Sequence, residues 1–144
     1  MVELREITKE TLRPILKLDV ADNQKNLVAP NSVSIAQAYY EEKAWFRGIY
    51  DQDEAVGFVM LYKDEEKAEY FLWRFMIDKN HQGKGYGKEA MELIIDYVKG
   101  LPNAKTFGLS VVPADGSAEE FYKKFGFIDT GEVEENEKVY ELTF

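Results

Sequence analysis

The pattern of apolar and polar positions along this chain predicts its elements one after another. Val2 to Ile7 alternates, with Val2, Leu4 and Ile7 apolar, which is the period of a short strand. Thr8 is placed to cap a helix running to about Lys17, with Leu12, Ile15 and Leu16 on one face. Residues 19 to 31 are polar and loop-like, and Ser34 with Gln37 has the spacing of a capping box that opens a second helix to roughly Glu42. The pattern then turns to strands. Trp45 to Tyr50, a turn at Asp51 to Glu54, and Ala55 to Tyr62 predict a hairpin, and a further strand runs from Ala68 to Ile77 after a polar turn at Lys63 to Lys67. Gly87, Ala90, Met91, Ile94 and Val98 form the core-facing stripe of a helix from about Gly85 to Lys99, which Gly100 and Pro102 end. Thr106 to Val112 is a strand. Ser117 and Glu120 form a second capping box before a helix over 118–125, and strands at Phe127 to Thr130 and Lys138 to Phe144 close the chain.

The order βααβββαβαββ predicts a mixed α/β fold, and the absence of a repeat or linker predicts one domain over 1–144. A hydrophobic content of 45% suits a globular core. No segment approaches the ~18–20 apolar residues that span a bilayer, and the N-terminus lacks the apolar stretch of a signal peptide. A soluble cytoplasmic protein with no membrane association is therefore expected. Without cysteine there is no disulfide or thiolate metal site, and His81 alone makes no metal cluster, so no metal is expected and His81 is read as a solvated loop residue. The formal charge of −9 disfavours nucleic acid and suits a cationic partner. Much of that acidity falls in turn-like stretches, Asp51 to Glu54, Asp64 to Glu66 and Glu132 to Glu137, where solvation accounts for it.

The chemistry concentrates after the strand at 71–77. The run ends at Asp78, passes a short polar turn and enters Gln82-Gly83-Lys84-Gly85-Tyr86-Gly87 at the start of the amphipathic helix. Backbone N–H groups at a helix N-terminus favour a phosphorylated ligand. The spacing fails the Walker loop, because Gly87-Lys88 precedes Glu89 and Gln82 stands where the first glycine belongs. It fails the dinucleotide fingerprint too, because the glycines fall at every second residue and Lys88 replaces the last one.

Gln82, Gly85 and Gly87 in the pattern Gln-x-x-Gly-x-Gly resemble the acetyl-CoA pyrophosphate loop of the GCN5-related N-acetyltransferase (GNAT) superfamily. Residues 110–127, ending in Phe121-Tyr122-Lys123-Lys124-Phe125-Gly126-Phe127, resemble that family's second motif, so the likeness covers the chain from residue 45 onward. The resemblance implies a mixed sheet splayed between its fourth and fifth strands. It implies acetyl-CoA as donor, with the pantetheine arm along Phe75, Met76 and Ile77, the pyrophosphate on Gln82, Gly83, Lys84, Gly85, Tyr86 and Gly87, and charge from Lys84 or Lys88. Phe121, Tyr122 and Lys124 complete that wall. Asp115 stands where the family usually has Asn and cannot make the amide's donation, leaving that contact to Ser117 or a backbone group.

In that family setting Tyr122 is the expected general acid for the leaving thiolate, although Ala118, Phe121, Tyr122 and Phe125 also form an ordinary core stripe. The oxyanion is expected near the Phe75 N–H. Some lysine-acetylating relatives carry a glutamate where this chain has Phe71. Glu69, on the same strand face, is the alternative base, acting through water, and otherwise a water chain removes the amine's proton. The N-terminal half resembles bacterial spermine/spermidine (diamine) N-acetyltransferases, which implies a polyamine held by Asp19, Asp22, Glu41, Tyr39, Tyr40 and Trp73. Arg74, in the same strand, calls for a carboxylate partner. Aminoglycosides, peptide N-termini and protein lysines remain as other acceptors, and a non-catalytic acyl-CoA binder as the other class. The family also implies a homodimer.

Overall fold

The computed structural model describes residues 1–25, 27–113 and 118–144. Its strands are β1 (Val2–Arg5), β2 (Ala44–Asp51), β3 (Glu54–Asp64), β4 (Glu69–Ile77), β5 (Thr106–Val111), β6 (Ile128–Glu134) and β7 (Glu137–Thr143). Its helices are α1 (Leu12–Lys17), α2 (Asn31–Tyr39), α3 (Tyr86–Lys99) and α4 (Glu119–Lys123), with single 3-10 turns at Asp22–Gln24 and Lys79–His81. The expected α/β order is borne out.

The strands form one seven-stranded sheet in the order β1-β2-β3-β4-β5-β7-β6, antiparallel except where β4 meets β5. That parallel junction decides the architecture. β4 pairs with β5 at Phe71 opposite Gly108 and Leu72 opposite Leu109, and among the described residues the ladder goes no further. Beyond it the strands part, while β3 stays paired to β4 as far as Ile77 and β7 stays paired to β5 as far as Val111. The inner edges of β4 and β5 are thus left without strand partners, held open by complete ladders behind them.

A β-bulge sits at the same place. Met60 opposes Arg74 and Leu61 opposes Leu72, so Trp73 is an extra residue in β4. An extra residue inverts the alternation of side chains. Before the bulge Tyr70 and Leu72 enter the core under α3, together with Met91, Ile94, Val98, Phe107, Leu109 and Tyr140. After it Phe75 and Ile77 pack on that side, while Trp73 and Met76 join the second core with Ile15, Val20, Phe58 and Met60.

Several predicted boundaries move, each for a local reason. α1 begins at Leu12 rather than after Thr8, because Pro14 lacks an N–H and is tolerated only in a first turn. Thr8 instead closes a turn with Thr11, whose N–H donates to the Thr8 carbonyl at 3.1 Å. α2 starts at Asn31 and ends at Tyr39, so Ser34 is not its cap but a fully buried interior residue. The buried Asn31 side chain donates to the Ile15 carbonyl at 2.9 Å and ties α2 to α1. α4 is shorter than predicted, and its proposed capping residue Ser117 lies outside the described residues. β6 and β7 run deep into the acidic stretch assigned to a solvated turn. The turn between them is just Glu135 and Asn136, with φ of 49° and 66°, as in a tight hairpin.

Candidate active site

The parted strands open into a cleft of about 1500 Å³. One wall is the segment that leads from β4 into α3. Asp78 follows β4 and is buried; its carboxylate accepts the N–H of Asn80 at 3.2 Å, the N–H of Asp19 at 2.9 Å and a contact from His81 Nδ1 at 3.0 Å. Burial pushes its proton affinity up, but these hydrogen bonds outweigh burial and hold the carboxyl below the usual range. His81 is therefore not a solvated loop residue. Its ring is 16% exposed and bridges Asp78 to Glu54, 3.3 Å from Nε2.

Gln82 also has a structural task. Its Nε2 donates to the Ile77 carbonyl at 3.0 Å and to Gln24 Oε1 at 2.9 Å, fastening the loop to the end of β4 and to the N-terminal half. Gly83 and Gly85 have φ of 78° and 86°, and a Cβ built on either meets nothing within 4 Å. The requirement for glycine there is conformational, and the space in front of the loop is open. Gly85 leads into α3, whose first turn carries Gly87 and Lys88 to the cleft. The Tyr86 hydroxyl is engaged in a 2.6 Å donation to Asp51 Oδ2. A donor with a phosphorylated end fits this wall: free N–H groups of a helix start, no Cβ in the way, and an unpaired strand edge leading inward.

The far end of that edge is aromatic. Phe75 stacks on Phe121 at 6.0 Å, and Phe121 meets Tyr122 edge-on at 5.3 Å. Tyr122 lines the cleft and is 7% exposed, and burial alone pushes its phenol well above the ordinary tyrosine range. Its hydroxyl therefore stays protonated at physiological pH.

The cleft brings together Trp73, Arg74, Phe75, Met76, Ile77, Gln82, Gly83, Gly85, Tyr86, Gly87, Lys88, Phe121 and Tyr122 from the sequence-derived candidates. It does not bring in the others. Glu69 is exposed at the start of β4, opposite Asp64 and at the closed end of the β4–β5 junction, so it cannot serve the cleft as a base. Asp19 and Asp22 lie outside the lining and pair with Lys25 at 3.5 and 3.3 Å. Glu41 accepts the Lys43 N–H at 3.1 Å, and Lys84 and Lys124 are not among the residues that line the cleft. Tyr39 and Tyr40 are 82% and 88% exposed; Tyr40 lines a separate shallow apolar hollow with Val33, Ala36, Gln37 and Trp73. Asp115 and Ser117 lie outside the described residues.

Conversely, the cleft gains groups that sequence reasoning missed. Glu134, Glu135 and Glu137 of the β6–β7 hairpin line it, and the Ser110 hydroxyl donates to Glu137 Oε1 at 3.1 Å. The alternation Val133, Lys138-Val139-Tyr140 around a two-residue turn was the available signal for a hairpin that reaches the site. Among the described residues no cluster of His, Cys, Asp or Glu could hold a metal ion, and no helix is long and apolar enough to cross a membrane.

The acetyltransferase (GNAT) family model matches residues 4–127, which is most of the chain. The chain belongs to this family. It is an N-acetyltransferase, and acetyl-CoA is its acyl donor. It is 32% identical to a probable spermine N(1)-acetyltransferase of Bacillus subtilis subsp. natto and 31% identical to the spermine/spermidine N(1)-acetyltransferase of Bacillus subtilis, in each case over 96% of this chain and 95% of the relative. Among solved structures, its fold matches spermidine N-acetyltransferase from Vibrio cholerae in complex with CoA and spermine, with a TM-score of 0.76 at 20% identity over 97% of this chain and 92% of that one. It also matches the PaiA N-acetyltransferase of Thermoplasma acidophilum in complex with coenzyme A, with a TM-score of 0.72 at 16% identity over 100% and 99%.

Proposed function

We propose that this chain acetylates a primary amine of the polyamine class, spermidine or spermine, by direct transfer with Tyr122 as the general acid, the whole chain acting as one domain. The observation that carries the reading is the cleft itself: one continuous space joins a helix N-terminus, an unpaired strand edge, a buried tyrosine and a carboxylate-bearing hairpin. The names of the two Bacillus relatives support the polyamine class.

Acetyl-CoA supplies the acetyl group as a thioester. The first turn of α3 and the loop Gln82 to Gly87 would hold its pyrophosphate, with Lys88 adding charge. The open edge of β4 at Phe75 to Ile77 would take its amide-bearing arm as an added strand. The hairpin glutamates draw in the cationic acceptor, and Glu137 replaces Glu69 as the carboxylate placed to receive the ammonium proton. The amine nitrogen then bonds to the acetyl carbon, the carbon–sulfur bond breaks, and the sulfur takes the Tyr122 hydroxyl proton. The phenolate recovers a proton from the newly formed amide nitrogen, so Tyr122 ends as it began.

The test is release of the CoA thiol with a panel of amines: spermidine, spermine, a short diamine, an aminoglycoside, a peptide N-terminus and a lysine peptide. Spermidine or spermine should give the highest kcat/KM. Turnover of another member with none for the polyamines would overturn the acceptor class, and binding of acetyl-CoA without turnover of any amine would favour the non-catalytic alternative.

A further inference from the structure

The least expected group in this cleft is a cation. Arg74 follows the Trp73 bulge and lines the space that an amine must enter. Its Nη1 donates to the Trp73 carbonyl at 2.9 Å and its Nη2 to Gln37 Oε1 at 3.2 Å, while its Nε is buried without a partner. The carboxylate partner that the sequence called for is absent: among the described residues no carboxylate lies within ion-pair distance of the guanidinium. Burial lowers the proton affinity of the guanidinium, with the Glu137 charge acting the other way. An arginine nonetheless remains charged at any working pH. Its hydrogen-bond partners are neutral and no carboxylate pairs with it directly, so the guanidinium's field falls on the cleft, opposed there by the Glu137 charge.

That field bears on the step for which the sequence offered only Glu69, which lies outside the cleft. A free alkylamine titrates near pH ~10.4 and arrives protonated, yet only the neutral amine attacks. A fixed like charge in a partly desolvated space disfavours the ammonium form. We propose that Arg74 lowers the proton affinity of the bound acceptor amine, so that the amine gives up its proton inside the cleft and attacks as the neutral nucleophile.

The other charged and titratable groups around the cleft fit this division. From the hairpin and β7 come Glu134, Glu135 and Glu137; from the segment before α2, Lys25; from the loop and α3, His81, Tyr86 and Lys88; from α4, Tyr122. The carboxylates stand on the β5–β7 side and favour the ammonium on entry. Arg74 stands on β4 and opposes it from that side of the cleft. In the transfer an N–H bond breaks, the nitrogen keeps the electron pair, and the proton passes to a Glu137 carboxylate oxygen and on to solvent. Arg74 exchanges no proton and is a positioning residue acting through charge.

The inference rests on the amine-acetyltransferase reading, and its test separates the two. The single-turnover rate at saturating spermidine and acetyl-CoA is followed against pH, since this reports ionisation in the bound complex. The ascending limb of the wild-type profile should lie about one pH unit or more below the titration of the free amine. Arg74→Met should raise that limb by about one unit, and Arg74→Lys, which keeps the charge, should leave it within a few tenths. Glu137→Gln should not raise it. A wild-type limb at the free-amine value, or an Arg74→Met limb that coincides with wild type, overturns the role of Arg74 while leaving the acetyltransferase reading intact. If Arg74→Met does not fold, Arg74→Gln, which keeps a hydrogen-bonding side chain but removes the charge, takes its place with the same expected rise and the same overturning result. Absence of thiol release with every amine removes both readings together.

Discussion

The two walls of the cleft are built in opposite ways. The donor wall is a nearly unbroken stretch of chain, from Phe71 through Lys88, in which strand, turn, glycines and helix start follow one another. The acceptor wall is assembled from fragments: Gln24 with Lys25, Leu27 to Pro30, Gln37, and Glu134, Glu135 and Glu137 of the hairpin. A phosphorylated donor needs consecutive backbone N–H groups and conformations open to glycine, which a contiguous segment alone can supply. An acceptor amine needs point charges at chosen places in space, which any segment can supply. The first requirement leaves a motif in the chain and the second leaves none.

The largest effect expected from breaking this contrast is at Tyr122, where the walls meet. Tyr122→Phe removes the proton donor and keeps the ring, so kcat should fall on the order of 10²-fold. The KM for acetyl-CoA should change little, because Phe121 and the β4 edge are untouched. A phenylalanine of the same shape in a buried aromatic cluster should also leave the melting temperature close to wild type. Steady-state kinetics on the folded variant decide it: an unchanged kcat would return Tyr122 to the core stripe that its spacing also predicts.

How far the chain disclosed itself follows the same division. The order of elements and the loop Gln82 to Gly87 were legible, because each rests on local periodicity or a local motif, and the opening between β4 and β5 followed only from the family resemblance that the loop carries. The phase change at Trp73 was not. A bulge is set by the ladder to β3, and nothing within Phe71 to Ile77 announces it. Asp19 and Asp22 were chosen for residue type, but Lys25 between the loop and the cleft claims them. The hairpin glutamates were discarded as solvated turn residues because acidity in a row looks like surface until the fold shows which surface. His81 was misjudged for a related reason: its carboxylate neighbours Asp78 and Glu54 come together only when β3 and the loop pack side by side.

Asp78 joins the walls, since it accepts from Asn80 and His81 on the donor side and from the Asp19 N–H on the acceptor side. Asp78→Asn removes acceptors from buried donors and should cost about 1–3 kcal/mol in denaturant unfolding at neutral pH. The carboxyl is held below its usual range in the folded state. Its contribution is therefore fully present above the unfolded value of about 3.9 and is lost as pH falls through the lower folded value. The gap between wild type and variant should narrow on acidification below about pH 4 and stay constant above it. A gap that instead persists at low pH would mean that the amide loses shape or packing rather than a charged acceptor.

A smaller change should fall on the donor wall alone. Gly85 has φ of 86°, and replacing it with alanine imposes the left-handed penalty of roughly 1–2 kcal/mol without any steric clash. If the loop must keep that shape to bind the donor, the KM for acetyl-CoA should rise about tenfold while the KM for the amine stays within twofold. Equal losses for both substrates would show that the loop and the acceptor side move as one body, which the Gln82 to Gln24 hydrogen bond makes the natural competing outcome.

The smallest effect tests whether the acceptor wall works by field or by fixed contact. Glu134 and Glu135 are exposed at the hairpin end and line the cleft, whereas Glu137 is half-buried and bonded to Ser110. Exposed carboxylates facing a cation are worth about 0.2–1 kcal/mol each. The double change Glu134→Gln with Glu135→Gln should thus raise the KM for spermidine a few-fold at low salt and leave kcat unchanged. Screening shortens the reach of such charges to about 8 Å at physiological ionic strength and about 3 Å at 1 M. The difference from wild type should accordingly fade as salt is added. A short monoamine carries less charge to attract and should show a smaller difference at every salt concentration. A KM increase that survives high salt would mean that one of these glutamates grips the substrate directly, and the acceptor wall would then be as sharply specified as the donor wall, only written in scattered pieces.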